Sequence, residues 1–206
     1  ITLDEASQFQ AQMLTEMAAM SVDDGLVMQI HAGSRRNYAP SIFDRYGRDK
    51  GFDMPGAVAW ADGLKPLLDR YGFEGNLQMV LYTLDETAYG RELAPLAGAF
   101  PTVLVGAPWW FFDSPEGMRR YRSQVVETAG FHNTAGFVDD TRAFLSIPAR
   151  HDMARRMDAG FLAGLVAEHQ IEFEEAAALM DALATGLARR AYRLGQAADE
   201  LQRQSA

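Results

Sequence analysis

The apolar positions of this chain alternate between two periods. From Leu3 to Met20 they recur at steps of three and four, so that Leu3, Ala6, Phe9, Met13, Met17 and Met20 share one face, which predicts a helix over 3–20. Thr2 and Glu5 form a capping-box pattern at its start. Asp23-Asp24-Gly25 reads as a turn. Residues 26–30 are a mostly apolar run closing at His31, and a run this short reads as a buried strand. Residues 32–52 are rich in Gly, Arg, Asn, Pro and Tyr and read as one long loop, of the kind that is usually functional or disordered. The alternation then resumes with a helix over 55–71, a strand over 77–83, a helix over 85–97 with an awkward Pro95, and a strand over 102–106. Ser114 caps and Pro115 opens a helix over 115–129. Residues 134–139 read as a fourth strand, and two long helical stretches follow over 149–167 and 172–203.

Strands alternating with helices predict an α/β fold with a parallel sheet built from βαβ units. Each strand is nearly all apolar, as expected when both faces of a sheet are covered. Ligands in such folds bind at the carboxyl ends of the strands. Those ends are His31, Leu84-Asp85, the Pro108-Trp109-Trp110 segment and Asp140-Thr141-Arg142. In an extended segment Asp140 and Arg142 point the same way, which sets an acceptor-only carboxylate beside a permanent cation. Charged pairs are costly to bury, so this one points to binding or chemistry, an ordinary strand-end ion pair being the alternative. Four strands are too few for a closed barrel, which needs eight and typically ~250 residues.

Composition narrows the partners. The 206 residues suit one large domain or two small ones, and 48% hydrophobic with 23% charged is ordinary for a globular protein. Nineteen basic against 28 acidic residues give a formal charge of −9, which argues against nucleic acid or an anionic membrane as partner. A small anionic substrate needs only a local basic pocket. No cysteine is present, so any metal must be held by His, Asp or Glu. No run approaches a membrane-spanning length. The chain opens on Ile1 directly into a helix, which raises the expectation of something upstream.

Several residues could carry chemistry. His31 could be a ligand, a general base or a satisfied structural histidine. Arg35 and Arg36 could hold a carboxylate bidentately or form a solvated basic turn. Trp109-Trp110-Phe111-Phe112 could stack on a sugar or serve as a packing plug. His151, His132 and His169 read as structural or surface positions. No G-x-G-x-x-G, G-K-[ST], G-x-S-x-G or H-E-x-x-H pattern occurs, which removes the simplest nucleotide, serine-hydrolase and zincin readings.

Taken in order, four stretches resemble the uronate isomerase (glucuronate isomerase) family of the amidohydrolase superfamily. They are residues 25–37 (GLVMQIHAGSRRN), Gly51-Phe52-Asp53, Trp109 to Asp113 with Gly117-Met118, and Asp140 to Ser146 followed by Arg150-His151 and Arg155-Arg156. The resemblance covers essentially the whole chain but only the C-terminal part of the family's length. It implies one domain over 1–206 that supplies strands five to eight of a distorted (β/α)₈ TIM-like barrel, with extra C-terminal helices. It also implies a cytoplasmic enzyme of hexuronate catabolism, interconverting D-glucuronate with D-fructuronate and D-galacturonate with D-tagaturonate.

The implied chemistry is removal of the C2 proton, a cis-enediol, and reprotonation at C1. By the same resemblance Asp140 is the metal-site carboxylate, with a proton-shuttle role allowed, and Arg142 stabilises oxyanion charge or holds substrate. His31 lies near metal and substrate oxygens, Arg36 meets the uronate carboxylate, and Trp109 lines the sugar site. The implied cofactor is a divalent metal, zinc first and manganese or iron otherwise, with Asp140 and His31 among its ligands. The family's His-x-His ligands would lie upstream of Ile1, so this chain alone is expected to be inactive. Leu84-Asp85 departs from a Leu-Asn pair, which leaves Asp85 outside the expected site. The expected partner is a small hexuronate, with neither nucleic acid nor membrane, and a homo-oligomer is allowed. The alternatives are a metal-dependent hydrolase of the same superfamily and a non-catalytic, doubly wound sugar-acid-binding module.

Overall fold

The structure is a computed structural model, and it describes residues 1–141 and 143–195. Helix α1 (Leu3–Asp24) starts as expected: Glu5 N–H donates to Thr2 Oγ1 at 3.2 Å while Thr2 N–H donates to the Glu5 carboxylate at 2.7 Å. It ends on Gly25, whose φ of 74° suits a residue without Cβ. Its buried side is not the expected one. Ala18 and Ser21, with Leu14 and Val22 beside them, turn toward the body, whereas Phe9, Met13, Met17 and Met20 stay exposed. The helix has apolar residues on two faces, and the rest of the described chain offers α3 (Trp60–Tyr71) to only one of them.

Strands β1 (Met28–Ala32), β4 (Met79–Thr83) and β5 (Val103–Val105) form a parallel sheet in the order β1-β4-β5. His31 pairs with Tyr82 and Leu81 with Val105. The strand expected over 134–139 reduces to one parallel bridge between Thr134 and Val105. Gly136, at φ 72°, takes the backbone out of the extended region directly afterwards. His31 is the fourth of five residues in β1, not its last.

The stretch expected as a loop over 32–52 is partly ordered. Strand β2 (Ser34–Arg35) pairs antiparallel with β3 (Met54–Pro55), and α2 (Pro40–Tyr46) lies between them. Pro40 sits in the first turn of α2, where its missing N–H costs nothing. The helix expected from 55 starts at Trp60 because Met54 and Pro55 belong to β3.

Pro95 explains the next departure. A π-helical turn (Tyr89–Leu93) precedes α4 (Ala94–Ala99), and Ala94 N–H donates five residues back to Tyr89. The wider turn carries the chain past a residue with no N–H to give. Helix α5 (Pro115–Ala129) starts on its Ser114 cap as expected. Helix α6 (Ile147–Ala167) follows a short 3₁₀ turn. The last expected helix is α7 (Phe173–Asp181), a π-turn (Ala182–Gly186) and α8 (Leu187–Ala191); residues 196–203 of it lie outside the described residues.

Alternation along the strands sorts the side chains. Met28, Met79, Leu81, Val103 and Val105 pack under α1, α3, α4 and α5. Val80, Tyr82 and Leu104 face the other way, toward Ala107, Ala135 and Ala191. Strand order follows chain order, with no reversal among the described residues. Among them no helix is long and apolar enough to cross a membrane.

The inward row depends on a missing side chain. A Cβ on Gly106 would lie 2.5 Å from the Tyr82 ring. Gly106→Ala should therefore destabilise the protein by about 1–3 kcal/mol through overpacking. Gly160→Ala, in mid-helix with nothing within 4 Å of the new carbon, should be neutral or stabilising by about 0.5–1 kcal/mol. Urea unfolding of both variants checks the contrast; equal stabilities would refute the packing assignment.

Candidate functional site

Inward-facing positions of β1 and β4 begin the site. His31 stacks on Tyr82 with ring centroids 4.3 Å apart and planes within 6°, and meets the Trp109 ring edge-on at 5.1 Å. His31 keeps an exposed edge, yet partial desolvation lowers its pKa below the ordinary value, and the negative charge of Asp140 opposes that shift. The imidazole is thus held toward its neutral form, able to accept a proton or bind a cation. Tyr82 is fixed at its far end by a hydrogen bond between its hydroxyl and that of Tyr192. Burial foremost, then Tyr192, drives the Tyr82 phenol far above its usual range, so it stays protonated.

The segment after β5 supplies the aromatics. Trp109 is extended, and Trp110 turns at φ 55° into a 3₁₀ turn (Trp110–Phe112). A positive φ at a bulky residue is strained. Trp110 is held by stacking on Phe111 at 5.8 Å and by the Arg36 guanidinium 5.6 Å from its ring centroid.

The loop after β1 supplies Arg36. Its guanidinium pairs with Asp53 at 3.1 Å and with Asp49 at 3.5 Å. Asp53 is buried, and its second oxygen accepts the Asn37 N–H at 2.7 Å, which fixes the turn carrying Arg36.

The segment after Thr134 supplies Asp139 and Asp140. Asp139 is drawn inward by Arg150 at 2.7 Å, and Arg150 also pairs with Asp113. Burial raises the Asp113 pKa, Arg150 pulls it back, and Asp139 and Asp140 raise it further. Asp140 itself is exposed at the rim.

These side chains border two adjoining clefts of ≈ 580 and ≈ 410 Å³ that share Trp109, Asp113 and Asp140. Arg36, Asp53 and Arg150 line the first; His31, Tyr82 and Asp139 line the second. Four of the five expected site residues, His31, Arg36, Trp109 and Asp140, therefore meet at the strand ends. Arg142 lies outside the described residues, and so does its expected same-side relation to Asp140.

Asp53, Asp113, Asp139 and Arg150 are additional members. Their sequence signals are the Gly51-Phe52-Asp53 stretch, the Asp that ends the aromatic run, the Asp139-Asp140 doublet, and Arg150 ahead of His151. His151 packs edge-on to Phe137 at 4.9 Å, while His132 and His169 are exposed. Asp85 is occupied locally, its carboxylate accepting from Thr87.

His31 and Asp140 are suitable metal donors in type. Yet among the described residues no group of three or more His, Cys, Asp or Glu is placed to hold a metal. Two donors fall short of the usual coordination number, so these residues form at most part of a metal site.

The sign of the His31 shift gives a pH dependence. Because its folded-state pKa is lowered, the unfolded chain takes up this proton first as pH falls. Its contribution to stability is full above about pH 6.5 and is lost on acidification through the lowered value. An NMR titration of the imidazole should place His31 below 6.5, and Asp140→Asn should lower it further. A value above 6.5 would mean that Asp140 outweighs burial.

Comparison with known proteins identifies the family. The glucuronate isomerase family model matches residues 1–191. The chain is 61% identical over 190 residues to a uronate isomerase of Brucella canis, covering 92% of this chain and 41% of that protein. Its fold superposes on the crystal structure of a glucuronate isomerase from Caulobacter crescentus with a TM-score of 0.92 at 59% identity, covering 95% of this chain and 41% of that one. For a uronate isomerase from Thermotoga maritima the TM-score is 0.86 at 33% identity, covering 93% and 42%. The chain thus spans about two-fifths of the length of these relatives. By sequence and by fold alike, it belongs to the glucuronate isomerase family.

Proposed function

We propose that this chain forms part of the catalytic barrel of a uronate isomerase that interconverts D-glucuronate with D-fructuronate, and D-galacturonate with D-tagaturonate. The observation that carries the reading is the convergence of His31, Trp109 and Asp140 on adjoining clefts at the strand ends, in a chain 61% identical to a uronate isomerase. Strand order that follows chain order supports an arc of a barrel over a doubly wound sheet, whose order reverses at its ligand site. The order of the motifs supports the C-terminal part, strands five to eight.

In this reading Trp109 offers an apolar wall to the sugar. His31, kept toward neutrality and oriented by Tyr82, reaches substrate oxygens. Asp140, exposed at the shared rim, is placed to take and return the proton that moves between C2 and C1. Arg36 keeps buried Asp53 and can exchange the exposed Asp49 for the substrate carboxylate, since exposed pairs are weak. The described lining of the larger cleft sets two guanidinium groups against four carboxylates. An acidic substrate therefore needs a further cation, the role assigned to Arg142 by its place in the motif.

A divalent metal, zinc first and manganese or iron otherwise, would be held by Asp140 and His31 with ligands from the rest of the protein. When bound it would supply a Lewis acid to the enediolate oxygen. This chain alone is expected to be inactive.

The test is turnover of glucuronate by the intact protein. Asp140→Asn and Arg142→Met should each lower kcat by about 10²–10⁴ with circular dichroism unchanged. Near-normal turnover in both variants would remove the site assignment, and an inactive wild type would remove the function.

A further inference from the structure

Arg150 ties the two rim segments of the site together through charged hydrogen bonds. It stands in the first turn of α6, outside the strand ends. Its Nε donates to Asp139 Oδ1 at 2.7 Å, and its Nη2 donates to Asp113 Oδ2. Asp139 adjoins Asp140, and Asp113 closes the turn that begins at Trp109. The Asp139 side chain is only 2% exposed and that of Asp113 22%. The second oxygen of each carboxylate is buried and has no hydrogen-bond partner among the described residues. Both carboxylates thus depend on one guanidinium for compensation.

We propose that Arg150 is a positioning residue of the isomerase. It holds the Trp109 segment and the Asp140 segment at a fixed separation by bridging Asp113 and Asp139. Removing it would leave two like charges facing each other in a half-dry site, and each would drag its segment toward water. The Arg150–Phe137 contact at 5.9 Å keeps the guanidinium over the same loop. Lysine should not substitute. An ammonium is a point charge, whereas this bridge uses two separate nitrogens of one rigid fork aimed at two carboxylates.

The inference rests on the isomerase reading, and the experiment separates the two. In the intact protein, Arg150→Lys and Arg150→Ala should remain folded and lose about 100-fold in kcat, with KM changed by less than about threefold. Added guanidinium ion should restore at least about tenfold to Arg150→Ala and nothing to the wild type. A variant combining Arg150→Ala, Asp113→Asn and Asp139→Asn removes all three charges, so it should fold even if Arg150→Ala does not, and it should remain slow.

Turnover within about threefold of wild type in any folded variant overturns the proposal. So does a loss that only matches the loss of folded protein, or one that guanidinium leaves untouched. If the wild type itself does not isomerise uronates, the isomerase reading fails first. The clamp is then judged by the part of the acrylamide quenching that a Trp109→Phe, Trp110→Phe variant removes, Trp60 being silent at 2% exposure. Arg150→Ala should increase that quenching, and unchanged quenching overturns the clamp.

Discussion

The pairing register of β1 on β4, and of β4 on β5, is the constraint on which the site depends. Side chains on a strand alternate with a period of two, so a slip of one residue would exchange the faces. With His31 opposite Tyr82 and Leu81 opposite Val105, the outer face carries Met28, Met79, Leu81, Val103 and Val105 into the helices. The same register turns His31 and Tyr82 inward as a stacked pair and leaves room for the tyrosine ring over Gly106. Burial of the outer face, at roughly 1.5–3 kcal/mol per large side chain, is what makes any other register expensive. The position of the histidine is therefore a by-product of core packing, not of a local contact.

Electrostatics organises what lies above the strands. Each rim segment carries a paired carboxylate removed at least partly from solvent: buried Asp53 with Arg36, and half-buried Asp113 and buried Asp139 with Arg150. Pairs of this kind contribute little net stability but are costly to break, so they fix geometry. Asp140 differs in being exposed. Buried charges set the frame, and an exposed charge is left for substrate.

Much of this was legible from the residues, and the exceptions have causes. The Thr2–Glu5 capping box, Ser114 as a cap and the apolar strand runs read correctly because they are local. The outward stripe of α1 could not be read, since periodicity gives a face but not its partner. The stretch over 32–52 hid β2 and α2 because a two-residue strand leaves no periodic signal. The fourth strand shrank to a bridge at Thr134 because Gly136 takes a positive φ. Within the site, His31, Arg36, Trp109 and Asp140 stood at predicted strand ends or motifs. Asp113, Asp139 and Arg150 also lay in quoted motifs or at a predicted strand end, but their pairing could not be read, because it is a contact spanning 37 residues of chain.

The position of a bound sugar acid tests the site most directly. A crystal structure of the intact protein with a non-isomerisable aldonic acid bound would show it. The ligand should lie against Trp109 and beside Asp140, with His31 within hydrogen-bond reach of its oxygens. A ligand held elsewhere, with these three residues turned away from it, would contradict the site described above.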